Sequence, residues 1–108
     1  MIMIRAIIRP EKRDEVLNEL AAGGFNAATV LDVVGRGKQK GIKLAGVVYD
    51  EIPKTMIIMV VHAADQEAIA NIILQTAKSG DQGLFGDGKI FVSPVEEVYT
   101  ISSGKTGL

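Results

Sequence analysis

Thr55-Met-Ile-Ile-Met-Val-Val61 and the segment after it, Asp65-Gln-Glu-Ala-Ile-Ala-Asn-Ile-Ile-Leu-Gln-Thr-Ala77, carry the strongest structural signal in the chain. The first is a continuous apolar run of strand length. In the second, Ile69, Ile72, Ile73, Thr76 and Ala77 fall at i, i+3, i+4, i+7 and i+8, the apolar stripe of an amphipathic helix. Asp65 stands where an N-cap belongs, and Ser79-Gly80 supplies a stop. A strand therefore runs almost directly into a helix.

Upstream, residues 2 to 9 (Ile-Met-Ile-Arg-Ala-Ile-Ile-Arg) are rich in β-branched side chains and stop at Pro10, as a strand handing over to a turn does. From Glu11 to Ala22 the positions Val16, Leu17, Leu20 and Ala21 share one helical stripe, ended by Gly23-Gly24. Ala27 to Val34 reads as a second strand. Downstream of the second helix come a glycine-rich loop from Gly80 to Gly88, a strand at Lys89-Ile-Phe-Val92, and a short strand from Val98 to Ile101. The order β-α-β-β-α-β is that of the α+β ferredoxin-like unit, an antiparallel sheet with two helices on one face, here with a short C-terminal strand. With 108 residues, 47% of them hydrophobic, we expect a single domain spanning 1–108.

Two helices cover only one face of a four-stranded sheet, so a monomer would show polar residues on the other. Alternation instead puts Ile2, Ile4 and Ile8 opposite Met3 and Ile7 in the first strand. In the third strand Ile57, Met59 and Val61 stand opposite Met56, Ile58 and Val60. Both faces are apolar. At about 25 cal/mol per Å² of apolar surface, several wet aliphatic side chains would forfeit several kcal/mol, comparable to the stability of a small domain. An oligomer built on sheet faces is expected; the alternative is an ordinary surface with a few exposed aliphatics.

Twelve Lys plus Arg against 13 Asp plus Glu leave no global footprint for nucleic acid, so an anion site must be local. The absence of cysteine removes disulfides, thiolate nucleophiles and Cys-based zinc sites, and His62, the only histidine, has no second imidazole to share a metal. Arg5 and Arg9 interrupt the apolar N-terminus short of a signal peptide or membrane span, giving the expectation of a soluble, cytoplasmic protein without membrane insertion. Glu11, Asp14, Glu15, Asp65, Glu67, Glu96 and Glu97 fall on solvated faces or ends, so no acid–base pair is proposed and the protein is read as no enzyme.

Two loops remain for chemistry. In Gly35-Arg-Gly-Lys-Gln-Lys-Gly41, backbone N–H groups and the charges of Arg36, Lys38 and Lys40 could converge on an anion, or the segment is simply a flexible basic loop. Gly83-Leu-Phe-Gly-Asp-Gly-Lys89 satisfies the G-x-x-x-x-G-K part of a P-loop, yet Ile90 replaces Ser or Thr and a strand follows instead of a helix. The helix N-terminus that makes a P-loop work is missing. Asp87-Gly88 is by itself compatible with a plain turn.

Taken together, Ile7-Ile-Arg-Pro10, Gly35-x-Gly-Lys-Gln-Lys-Gly41, Pro53-Lys54, Thr76-Ala77 and Gly86-Asp-Gly-Lys-Ile-Phe-Val92 resemble the nitrogen-regulatory PII signal-transduction family along almost the whole chain. The resemblance implies a trimer whose clefts hold ATP or ADP, with a T-loop at about 37–53 and a B-loop at about 80–88 in this numbering. It assigns the nucleotide to Ile7, Thr29, Gly35, Arg36, Gly37, Lys38, Gln39, Val60, Gly86, Asp87, Gly88 and Lys89. Gln39 would hold Mg²⁺ through its amide oxygen, a hard ligand of the kind Mg²⁺ takes. The effector 2-oxoglutarate would chelate that metal and meet Arg9, Gln39, Lys40, Gly41 and Lys54, with Lys54 on its distal carboxylate.

The combination Gly-Arg-Gly-Lys-Gln-Lys-Gly-Ile-Lys, Tyr-Asp-Glu-x-Pro-Lys and Phe-Val-Ser-Pro-Val-Glu-Glu is similar to the branch encoded beside nitrogenase in archaea and anaerobes. That similarity implies a sensor of adenine nucleotide and 2-oxoglutarate that acts through its T-loop on a target such as nitrogenase. Two departures from the family pattern matter. Thr100 and Ser102 stand where the family places arginines, and a lost charged hydrogen bond costs about 1.5–3 kcal/mol. The B-loop is longer by about three residues, with Leu84 and Phe85 in the insert. The alternative is thus a degenerate subunit that binds no ATP alone and acts as a heteromer with a paralogue, on an ammonium transporter or a metabolic enzyme. The T-loop is about four residues shorter than the enteric type, so Tyr49 does not match a uridylylated tyrosine.

Overall fold

Alternation along β1 (Ile2–Ile8) sets the two faces of the sheet: Ile4, Ala6 and Ile8 are buried, whereas Met3 and Ile7 are half-buried on the other side. The computed structural model describes residues 1–36, 42–44, 47–49 and 51–108. After β1 come α1 (Arg13–Ala22), β2 (Thr29–Gly35), β3 (Ile42–Leu44), β4 (Val47–Tyr49), β5 (Ile52–Val61), α2 (Gln66–Ala77) and β6 (Gly88–Pro94).

Strands β2, β5, β1 and β6 lie in that order, every neighbouring pair antiparallel, which is the ferredoxin-like arrangement. Ile4 pairs with Met59, Ala6 with Ile57 and Ile8 with Thr55, so one face of the central pair is buried throughout. Val16 and Leu20 of α1 and Ile69, Ile73 and Ala77 of α2 close over it and form the core. The opposite face carries Met3, Ile7, Leu31, Met56, Ile58, Val60 and Phe91; Leu31 and Phe91 are exposed. A separate hairpin pairs β3 with β4, from Ile42 opposite Tyr49 to Leu44 opposite Val47. It falls inside the expected T-loop, where the short apolar pairs sit too close together to read as strands.

Element ends are set locally, that of α1 as expected and others not. Helix α1 stops in a Schellman motif: Phe25 N–H donates to the Leu20 carbonyl (2.8 Å) and Gly24 N–H to that of Ala21 (3.0 Å), with Gly24 at φ +92°. Asp65 does precede α2, but its side chain makes no capping hydrogen bond. A 3₁₀ turn over Ala63–Asp65 already gives it helical backbone angles (φ −92°, ψ −3°), and a capping side chain needs an extended residue. Helix α2 ends at Ala77, with Lys78 extended, which frees Ser79 for another use. Strand β5 starts at Ile52, three residues ahead of Thr55, where the ladder with β1 ends. Pro53 therefore lies where β5 pairs only with β2. The short strand expected at Val98–Ile101 takes the form of one bridge, Tyr99 to Thr106, within a tail that turns back on itself.

Candidate functional site

The sheet end that holds Ile8, Gly35 and Gly88 is framed by the loop between α2 and β6, and the loop's shape follows from Asp87. Its carboxylate accepts four hydrogen bonds: from Ser79 Oγ (2.6 Å) and Arg9 Nε (2.9 Å) on Oδ1, and from the N–H groups of Leu84 (2.8 Å) and Ser79 (3.0 Å) on Oδ2. Burial alone would raise the Asp87 pKa, but the two Ser79 bonds, the Leu84 amide and Arg9 outweigh it and hold the carboxyl well below the usual carboxylate range. Asp87 N–H returns a bond to the Leu84 carbonyl (3.2 Å), closing the turn.

Glycine is required where this loop meets the sheet. Gly88 sits at φ +114°, and a Cβ there would lie 1.7 Å from the Ile7 carbonyl oxygen. At Gly86 (φ +93°) a Cβ would stand 3.2 Å from Arg9 Nη2 and 3.5 Å from Lys54 Nζ, so the missing side chain leaves room for two cations. Arg9 Nη2 donates to the Phe85 carbonyl (2.8 Å), and Lys54 Nζ donates to the Gly86 carbonyl. Burial, then the neighbouring Arg9 guanidinium, push the Lys54 pKa down against the opposing pull of Glu11 and Asp87. The two cations are crowded, and the nearby carboxylate is already shared among four donors.

Several expected site residues thus gather at one end: Ile7 pairs with Lys89 across β1 and β6, Gly35 ends β2, Arg36 follows it exposed, and Arg9, Lys54, Gly86, Asp87 and Gly88 are in mutual contact or adjacent. Thr29 and Val60 are not brought there. Thr29 pairs with Ile58 at the far end of the sheet, six residues from Gly35, a span of roughly 20 Å at about 3.3 Å per residue. Gly37, Lys38, Gln39, Lys40 and Gly41 lie outside the described residues. Thr100 and Ser102 are exposed in the tail.

Sequence reasoning took Ser79 as a helix stop and missed its contact with Asp87. The available signal was a serine just past a helix end, eight residues before a D-G turn. Leu84 and Phe85 are exposed and, with Ile73, Leu74 and Ile90, line an open groove of about 580 Å³. Among the described residues no cluster of three or more His, Asp or Glu could hold a metal, and no helix is long and apolar enough to cross a membrane.

The family model described as nitrogen regulatory protein P-II matches residues 1–105. Over all 108 residues of both chains, this protein is 55% identical to "Nitrogen fixation nifHD region GlnB-like protein 1" of Methanothermobacter marburgensis. It is 52% identical to a protein of the same name from Methanococcus maripaludis, again over both whole chains. It shares 46% identity with "Nitrogen regulatory protein P-II 2" of Methanothermobacter thermautotrophicus, covering 96% of this chain and 91% of that one.

Proposed function

Because the chain belongs to the nitrogen regulatory protein P-II family, in its nitrogen-fixation-associated branch, we propose that it senses adenine nucleotide together with 2-oxoglutarate and regulates nitrogenase through residues 37–53. One observation carries the reading: Arg9 and Lys54 converge on the glycine-framed loop 85–87, where the acid they meet, Asp87, is already fully engaged. An anion arriving there relieves crowding between two cations and gains charge-assisted hydrogen bonds.

Within this reading Gly35, Arg36 and the Gly86–Lys89 turn hold the phosphates. Arg9 and Lys54 stand over Gly86, and Gly88 lies against the Ile7 carbonyl, so a phosphate arriving at this turn would meet two cations beside bare backbone. Asp87 keeps the turn in shape through Ser79 and Leu84. Lys54, with Arg9 beside it, takes the distal carboxylate of 2-oxoglutarate, and Gln39 takes the Mg²⁺ that the nucleotide brings. Thr29 and Val60 lie too far along the sheet to touch a ligand held at Gly86, so they serve the adenine of a neighbouring protomer's nucleotide. That requirement, and the apolar open face, support a trimer. The relatives' names tie those proteins to a nitrogen-fixation region, and nitrogenase is the proposed target on that ground.

Titration calorimetry tests the ligands: 2-oxoglutarate should release heat only when Mg-ATP is present, and Lys54→Met should remove that heat while leaving the nucleotide's. No heat at submillimolar ligand would favour the second reading, a subunit that needs a paralogue. The uncharged, exposed Thr100 and Ser102 are the observation behind it. Adding the paralogous subunit should then restore binding.

A further inference from the structure

We infer that the loop 82–87 is a latch fastened by the cations of the effector site, so that a dicarboxylate taken up by Arg9 and Lys54 releases the loop and reshapes the open apolar groove that it borders. The inference rests on the reading of Arg9 and Lys54 as effector residues. It adds that their present partners are the loop's own backbone.

The geometry sets up a competition. Arg9 uses Nε on Asp87 and Nη2 on the Phe85 carbonyl, and Lys54 uses Nζ on the Gly86 carbonyl. Three successive residues of one loop are thereby tied to two cations of the sheet. These carbonyls are neutral acceptors, whereas a carboxylate is charged and makes the stronger bond to an ammonium or guanidinium group. A ligand that draws these donors away leaves the loop attached through Asp87 to Ser79 and Leu84 only, contacts within the segment 79–87 itself. Nothing apolar anchors the loop in compensation: Leu84 is 66% and Phe85 75% exposed. They line one side of an open groove with Ile73, Leu74, Ala77 and Ile90, and Leu74 is itself largely exposed. The loop's position therefore depends on polar ties that an anionic ligand disrupts, and its movement changes which apolar side chains the surface presents.

Amide hydrogen exchange tests the latch without relying on the ligand. In the free protein, Lys54→Gln and, separately, Arg9→Gln should speed exchange at Leu84 and Asp87 by about three- to tenfold, the loss of one partly solvated charge-assisted bond. Exchange at the core positions Ile57 and Ile69 should stay unchanged. Wild-type protein already holding Mg-ATP should show the same acceleration when 2-oxoglutarate is added, relative to Mg-ATP alone. Unchanged loop exchange in both variants overturns the latch. Calorimetric heat for 2-oxoglutarate with unchanged wild-type loop exchange overturns the coupling while leaving the sensing function in place. Absence of that heat overturns the sensing function, and the coupling with it.

Discussion

Replacing Asp87 by Asn should destabilise the protein by about 2 kcal/mol at neutral pH, and the deficit should fade in acid. The carboxylate serves two donors on each oxygen. An amide nitrogen at Oδ2 would face the N–H groups of Ser79 and Leu84 and lose both bonds, so it goes to Oδ1. There the Ser79 hydroxyl can turn and accept, and only the Arg9 bond is lost. A hydrogen bond to a charged group is worth about 1.5–3 kcal/mol; with the Arg9 and Asp87 side chains 26% and 19% exposed, the lower half of that range applies. With a urea m-value of about 2 kcal/mol/M for a small protein, the midpoint falls by about 1 M, measured at one fixed protomer concentration because assembly shifts it. Asp87 binds its proton less readily folded than unfolded. Its stabilisation is therefore complete above the ordinary carboxylate pKa of about 3.9 and drains away as pH falls through that value toward the lower folded one. Asn does not titrate, so the gap between wild type and variant should narrow below about pH 4. A midpoint change under about 0.3 M at pH 7, or a gap independent of pH, would refute the view of Asp87 as the loop's charged hub.

Other perturbations follow from the same geometry. Gly88→Ala puts a Cβ 1.7 Å from the Ile7 carbonyl at φ +114° and should prevent folding or cost more than about 3 kcal/mol. Gly23→Ala is crowded by the Ile72 Cδ1 methyl at 2.9 Å, a movable side-chain end, with its other neighbours at 3.5 Å, and should cost under about 1 kcal/mol; urea midpoints of the pair check the contrast. Ile58→Glu places a carboxylate on the open sheet face opposite Thr29 and Arg5, leaving the core intact. Light scattering should then report smaller species than wild type while circular dichroism stays unchanged, and a monomeric wild type would remove the oligomer altogether.

The central architecture was readable because its signals are local and redundant. Ile69, Ile72 and Ile73 specify a helix face whatever lies around them, and the unbroken apolar run Thr55–Val61 announces a strand. Misreadings came where backbone angles depend on what precedes. Asp65 has the composition of a cap, yet a 3₁₀ turn had already made its backbone helical. The motif Gly86-Asp-Gly-Lys89 marked a turn that the fold sets beside Arg9 and Lys54. It was silent on what the acid in that turn does, since the donors that neutralise Asp87 come from Arg9, Ser79 and Leu84.

By itself, then, the amino-acid sequence determined the order of the four main strands and two helices, the faces of those elements, the family, and the glycines that frame the loop, because periodicity and φ > 0 demands are properties of short segments. Only the tertiary structure decided which charges meet. Arg9 and Asp87 are 78 residues apart along the chain and 2.9 Å apart in space. Lys54 reaches Gly86 only because β5 and β6 flank β1. Charge partnership depends on distance and solvent exposure, and both are set by the antiparallel register of the three strands.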